Sequence, residues 1–94
     1  MEIGEIKNVI ETIAKQFGLT RVSLFGSYAN GNATGESDID LLVEFDEPDV
    51  SLFQIVRVKL KIEELTGKEV DVIHAPIPEE SILEIDKEVL LYVA

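Results

Sequence analysis

The stretch from Asp38 to Phe45, reading Asp-Ile-Asp-Leu-Leu-Val-Glu-Phe, limits the fold more than any other part of the chain. Its apolar residues call for a strand with a buried face, yet two carboxylates stand at its start. Side chains alternate across a strand, so Ile39, Leu41 and Val43 share one face and Asp38 and Asp40 share the other. Like charges held close together are costly unless one takes up a proton, a cation neutralises them or both stay in water. The strand must therefore be buried on one side and, at its beginning, open to solvent or a ligand on the other.

The flanking segments alternate in type. Residues 2 to 17 place Ile3, Ile6, Ile10, Ile13, Ala14 and Phe17 at helical intervals, and Gly18 sits where a C-cap belongs. Arg21 to Phe25 is short, β-branched and aromatic and predicts a strand running into Gly26-Ser27. Residues 28 to 36 carry Asn30, Gly31, Asn32 and Gly35 without apolar periodicity and form a loop, with room for a helical turn at Tyr28-Ala29. Asp38 to Phe45 is the second strand.

After the Asp46-Glu-Pro-Asp49 break, Ser51 and Gln54 have capping-box spacing. Leu52, Ile55, Val56, Leu60, Ile62 and Leu65 then supply a second long helix that stops at Gly67. Glu69 to Ile73 alternates and predicts a third strand, and Ala75 to Pro78 connects it to a third helix from Glu79 to about Lys87. Leu90 to Val93 fits either a helix end or a short strand. The result is an α/β (α+β) chain, α-β-α-β-α around one small sheet, expected to be a single domain over 1–94.

Composition excludes several functions. Nineteen acidic residues against eight basic ones give a net charge of -11, which repels a phosphate backbone and argues against autonomous nucleic-acid binding. Arg57, Lys59, Lys61 and Lys68 fall in one segment but are interleaved with Glu63, Glu64 and Glu69, the pattern of a solvated helix face with local ion pairs. No run approaches the roughly 20 apolar residues of a membrane span. The absence of cysteine removes disulfides and thiolate chemistry, and a cytoplasmic location is expected. Any metal would be held by oxygen. With 46% apolar residues in so short a chain, an exposed apolar patch is expected around Ile82 to Val93, covered by a partner or a second copy.

The third strand offers Asp71, with Val70 and Val72 on its opposite face. If the second and third strands are neighbours, Asp38, Asp40 and Asp71 converge. Oxygen-only clusters of this kind suit magnesium or manganese, which keep waters and take substrate phosphates as further ligands. Gly26 lets the backbone turn sharply and approach a ligand closely, and Ser27 adds a hydroxyl beside exposed N–H groups, a setting for phosphate oxygens. Metal and phosphate sites side by side serve phosphoryl or nucleotidyl transfer, with two cations clamping the reacting oxygens.

Gly26-Ser27, ten residues, then Asp38-Ile39-Asp40 followed by Leu-Leu-Val-Glu-Phe resembles the G-S-x10-D-x-D signature of the minimal nucleotidyltransferases, the small branch of the DNA polymerase β-like superfamily. The resemblance covers nearly the whole chain. It implies a mixed sheet flanked by helices, Gly26 and Ser27 at the phosphates of ATP or another nucleoside triphosphate, Asp38 and Asp40 on magnesium, and Asp71 completing the site and activating the acceptor hydroxyl. It further implies an antitoxin that pairs with a HEPN-domain ribonuclease toxin and transfers AMP from ATP to a tyrosine of that partner. One position departs from the family pattern: Gly-Ser-x-Ala-Arg-Gly is the common form, and here Asn30 replaces the cation.

Three further residues have bland readings beside functional ones. His74 follows the third strand with parity opposite to Asp71 and is expected to pack rather than catalyse. Tyr28 is placed to stack on a base or to pack over its own loop, and Ser37 to orient a carboxylate or to close the turn. Two other functions compete with transfer to a protein: a non-catalytic antitoxin that neutralises its toxin by contact, and a polymerase-like enzyme, which the acidity and the lack of room for a template-binding module disfavour.

Overall fold

The structure, a computed structural model, describes residues 2–31, 33–34, 37–47, 49–74 and 88–94. α1 (Ile3–Phe17) begins where the Glu5 carboxylate accepts the Glu2 N–H at 3.2 Å, satisfying a backbone donor that the first helical turn leaves free. It ends at Gly18, whose left-handed φ of 68° turns the chain directly into β1 (Leu19–Phe25). β2 (Ile39–Phe45) follows the glycine-rich loop. α2 (Leu52–Thr66) is capped reciprocally by Ser51 and Gln54 and closes at Gly67, φ 70°. β3 (Val70–His74) and β4 (Val89–Val93) complete the sheet.

The strand order is β3-β2-β1-β4. β1 pairs antiparallel with both β2 and β4, while β2 and β3 run parallel because α2 carries the chain back between them. The sheet is therefore mixed, as the resemblance implies. Its buried face sets Val22, Leu24, Ile39, Leu41, Val43 and Val70 against Ile6, Ile10 and Ile13 of α1 and Val58 and Ile62 of α2. Each is essentially removed from water, a contribution on the order of 2 kcal/mol per large aliphatic side chain. α1 and α2 also pack on each other. By alternation and register, Arg21, Ser23 and Phe25, Asp40, Leu42 and Glu44, and Asp71 and Ile73 project from the opposite face.

Element boundaries shift modestly from the sequence expectation. β1 starts at Leu19, because that side chain is buried against the core, and β2 starts at Ile39 rather than Asp38. Leu90 to Val93 resolves to a strand, since β1 has a free edge that it can pair with. The connector at 75–78 and the helix expected over 79–87 lie outside the described residues.

α2 departs in its burial. Val58 and Ile62 are fully buried, but Leu52, Phe53, Val56, Leu60 and Leu65 are exposed, Phe53 by 83%. Of the apolar surface expected over Ile82 to Val93, Leu90 and Val93 are exposed and 82–87 lie outside the described residues; among the described residues, more of the exposed large apolar side chains lie on α2.

Candidate active site

The parallel register of β2 and β3 sets Asp40 directly opposite Asp71. Two hydrogen bonds fix the strand starts on which this depends. The Ile39 N–H donates to the Glu69 carbonyl at 2.9 Å, and the Val70 N–H donates to Glu63 Oε2 at 3.0 Å. With Ile39 and Val70 committed to the core, their neighbours Asp40 and Asp71 are delivered to the open face. Asp71 is exposed and Asp40 half-buried.

Burial pushes the Asp40 carboxyl above the ordinary aspartate range, and the charge of Asp71, a hydrogen bond between the two side chains and the charge of Asp38 push it the same way. Asp38 stands one residue ahead of the first paired position and is exposed. The strands are neighbours, so Asp40 and Asp71 do meet. Among the described residues, however, no three carboxylates or histidines form a ready-made metal cage.

The fit to a divalent cation is that of an open site. The donors are all oxygen, their mutual repulsion is what a cation relieves, and magnesium commonly fills its remaining positions with waters and substrate phosphates.

Gly26 lies against this row. Its φ is 73°, and a Cβ there would overlap the Asp40 carboxylate, with Asp40 Cγ only 3.1 Å away. Glycine is thus required twice, for the left-handed backbone and for the space that Asp40 occupies. The chain then makes one helical turn, the Asn30 N–H donating to the Gly26 carbonyl at 3.0 Å. Ser27 is half-buried at the head of this turn and Asn30 is exposed on it.

The bland readings of the neighbouring residues hold. Tyr28 is 5% exposed and joins the core, so packing prevails over base stacking. The Ser37 hydroxyl accepts the Thr34 N–H at 2.8 Å while the Ser37 N–H returns to the Thr34 carbonyl, closing the turn. His74 packs edge-on against Phe45 with ring centroids 5.4 Å apart. The ion pairs expected on α2 also form, Lys59–Glu63 at 3.7 Å and Lys61–Glu64 at 3.4 Å, while Arg57 lies over the Phe17 ring.

The sequence reading missed one feature beside Asp71. An open groove of about 620 Å³ is lined by Lys59, Glu63, Lys68, Glu69 and Asp71. Glu63 both walls this groove and holds the start of β3. The i,i+4 spacing of Lys59 and Glu63, just before the turn at Gly67, is the signal that could have found it.

Comparison with known proteins bears on the chain that carries these residues. A model of the nucleotidyltransferase domain matches residues 6–92. A Methanocaldococcus jannaschii relative assigned as a protein adenylyltransferase is 51% identical over 73 residues, 78% of this chain and 77% of its own length. A toxin–antitoxin crystal structure with AMP-PNP shares the fold at a TM-score of 0.78 and 20% identity, over 94% of this chain and 73% of the matched one. A tri-AMPylated Shewanella oneidensis HEPN toxin in complex with an MNT antitoxin does so at 0.70 and 17%, over 95% and 71%. A match that runs from the first buried residue of α1 into β4 takes in every described element, and this chain accordingly belongs to the nucleotidyltransferase-domain family, in the minimal branch that its Gly-Ser and Asp-x-Asp spacing indicates, an enzyme class as expected.

Proposed function

We propose that this chain is a magnesium-dependent protein adenylyltransferase that moves AMP from ATP to a tyrosine hydroxyl of a HEPN-type toxin, and so serves as the antitoxin of that pair. The observation that carries this reading is the Asp40–Asp71 pair on the open face of β2 and β3, with Gly26 packed against Asp40. The relative assigned as a protein adenylyltransferase and the fold shared with the two toxin–antitoxin complexes support it. A net charge of -11 favours a protein acceptor over a nucleic acid.

In this mechanism the turn at Gly26 and Ser27 holds phosphate oxygens through its N–H groups and the Ser27 hydroxyl. The acceptor oxygen bonds to the α-phosphorus of ATP while the bond from that phosphorus to the oxygen bridging toward the β-phosphate breaks. Pyrophosphate leaves with the electron pair. Asp71, the exposed member of the pair, takes the hydroxyl proton and releases it to solvent. Asp38, Asp40 and Asp71 would hold the magnesium, which when bound neutralises the carboxylate row and draws charge off the phosphate. The cytoplasm supplies ATP, and no described helix is long and apolar enough to cross a membrane.

Asn30, a neutral residue on the exposed part of the turn, favours a second reading in which the chain neutralises its toxin by contact alone. One experiment separates the two. The chain is incubated with magnesium, α-labelled ATP and the protein encoded by the adjacent gene, tested as the HEPN-type toxin. Label on a tyrosine of that protein supports adenylylation; inhibition of its ribonuclease activity with no label, with or without ATP, supports the contact reading instead.

A further inference from the structure

α2 is apolar on two sides. One side, Val58 and Ile62, is spent in the core. On the other, Leu52, Phe53, Val56 and Leu60 recur at one-, three- and four-residue steps and occupy a single stripe about 100° wide, facing solvent. Their exposures run from 40% at Val56 to 83% at Phe53. Nothing in the folding of the described chain accounts for four adjacent large apolar side chains in water, and such a patch marks an interaction surface.

The charges around the stripe say what kind of partner it takes. In the segment that leads into α2, Asp46, Glu47 and Asp49 are exposed, and none is in a salt bridge among the described residues. Farther along, the cations are already engaged, Lys59 with Glu63, Lys61 with Glu64 and Arg57 over Phe17. A second copy would set two chains of net charge -11 face to face and bring acid to acid at the stripe's end. A partner that presents apolar residues along one helix face and lysine or arginine at the end of that face fits both features.

The stripe also leads to the catalytic carboxylates. Val56 and Leu60 are one helical turn from Lys59 and Glu63, which line the groove that reaches Asp71. We propose that the outer stripe of α2 is the docking surface for the acceptor protein. It receives a basic-ended amphipathic helix whose apolar side covers Leu52, Phe53, Val56 and Leu60 and whose cations meet Asp46, Glu47 and Asp49. The acceptor is thereby laid along α2 toward the groove beside Asp71. This inference rests on the adenylyltransferase reading for the identity of the acceptor.

The test uses the full chain and the protein encoded by the adjacent gene as the acceptor, with binding measured calorimetrically in the absence of nucleotide. Two variants are compared with wild type, Phe53→Ser with Leu60→Ser, and Glu47→Lys with Asp49→Lys; thermal melts check that both fold. The apolar variant is expected to lose tenfold or more in affinity, the charge variant to lose affinity at low salt and to flatten its salt dependence, and both to bind magnesium-ATP as wild type does. Affinities within twofold of wild type for both variants overturn the proposal. So does a wild-type dimer that the apolar variant disperses, which would give the stripe to a second copy. The two readings fail differently. A wild-type complex that forms but transfers no AMP removes adenylylation and leaves the affinity series to decide the surface, whereas undiminished affinity with normal AMP transfer removes the surface alone.

Discussion

Asp40 faces Asp71 across the parallel β2–β3 pair, so two carboxyl groups stand side by side on neighbouring strands. Asp40 is the member that burial, Asp71 and Asp38 all push toward the protonated form. A raised native value means that the folded chain binds this proton more tightly than the unfolded one. The stabilising contribution is full below the ordinary aspartate range and is lost as pH rises through the raised native value.

Without divalent metal, Asp40→Asn is therefore expected to melt above wild type at pH 7.5, with the gap closing as pH falls below the ordinary aspartate range. Adding magnesium and ATP should reverse the order, because only wild type gains binding free energy from the metal-nucleotide. Melting curves across pH, with EDTA and with magnesium-ATP, check both signs. A variant that melts with wild type at every pH would remove the strain from this carboxylate pair.

The glycine turn gives a second expectation, with a built-in control. Gly26 and Gly31 both have left-handed backbones, φ 73° and 76°, but a Cβ on Gly31 meets nothing within 4 Å whereas one on Gly26 meets the Asp40 carboxylate. Gly31→Ala should cost about 1 kcal/mol, the backbone penalty alone. Gly26→Ala should cost about 1–3 kcal/mol more and should weaken magnesium-ATP binding, since Asp40 must move. Chemical denaturation and nucleotide titration of the two variants separate backbone strain from displacement of the carboxylate.

Glu63 gives a third, concerned with how Asp71 is placed. Its carboxylate accepts the Val70 N–H at 3.0 Å and pairs with Lys59 at 3.7 Å. Glu63→Ala leaves a partly buried donor unpaired and should destabilise by about 1–2 kcal/mol. Glu63→Gln keeps an acceptor for Val70 and loses only a solvent-facing ion pair, so about 0.5 kcal/mol or less is expected. Equal losses for the two would place the energy in the ion pair instead of the hydrogen bond.

How much of this was legible beforehand depended on whether the determinant was local. The helix ends were, because Gly18, Gly67 and the Ser51–Gln54 box act within one turn. So was the face assignment of Asp38 and Asp40, because alternation is a property of the strand itself. That Asp71 lies opposite Asp40 was not, since the register of a parallel pair is set by how α2 docks across the sheet. Leu90 to Val93 has no periodicity to read, and only the free edge of β1 decides its conformation. The outer stripe of α2 escaped for a related reason: a helix apolar on two sides looks in sequence like a helix that is buried. Asp38 precedes the paired register, so the ladder that sets Asp40 against Asp71 does not by itself fix its position, although its charge acts on Asp40.

The last expectation separates the roles of the carboxylates. Asp71 is exposed, lies on a different strand from the Asp-x-Asp pair and opens onto the groove beyond Lys59 and Lys68. In the proposed transfer Asp38 and Asp40 would serve the nucleotide, while Asp71 would take the proton of the acceptor hydroxyl. Asp71→Asn should lower turnover by about a hundredfold or more, the range for losing general-base assistance, with a much smaller change in ATP affinity. A structural role makes a different forecast: a carboxylate that mainly held the start of β3 would lower the melting temperature and reduce binding and rate together. Single-turnover transfer, ATP titration and a thermal melt on the same preparation distinguish them. A variant that melts normally, binds ATP normally and transfers AMP at the wild-type rate would take Asp71 out of the mechanism.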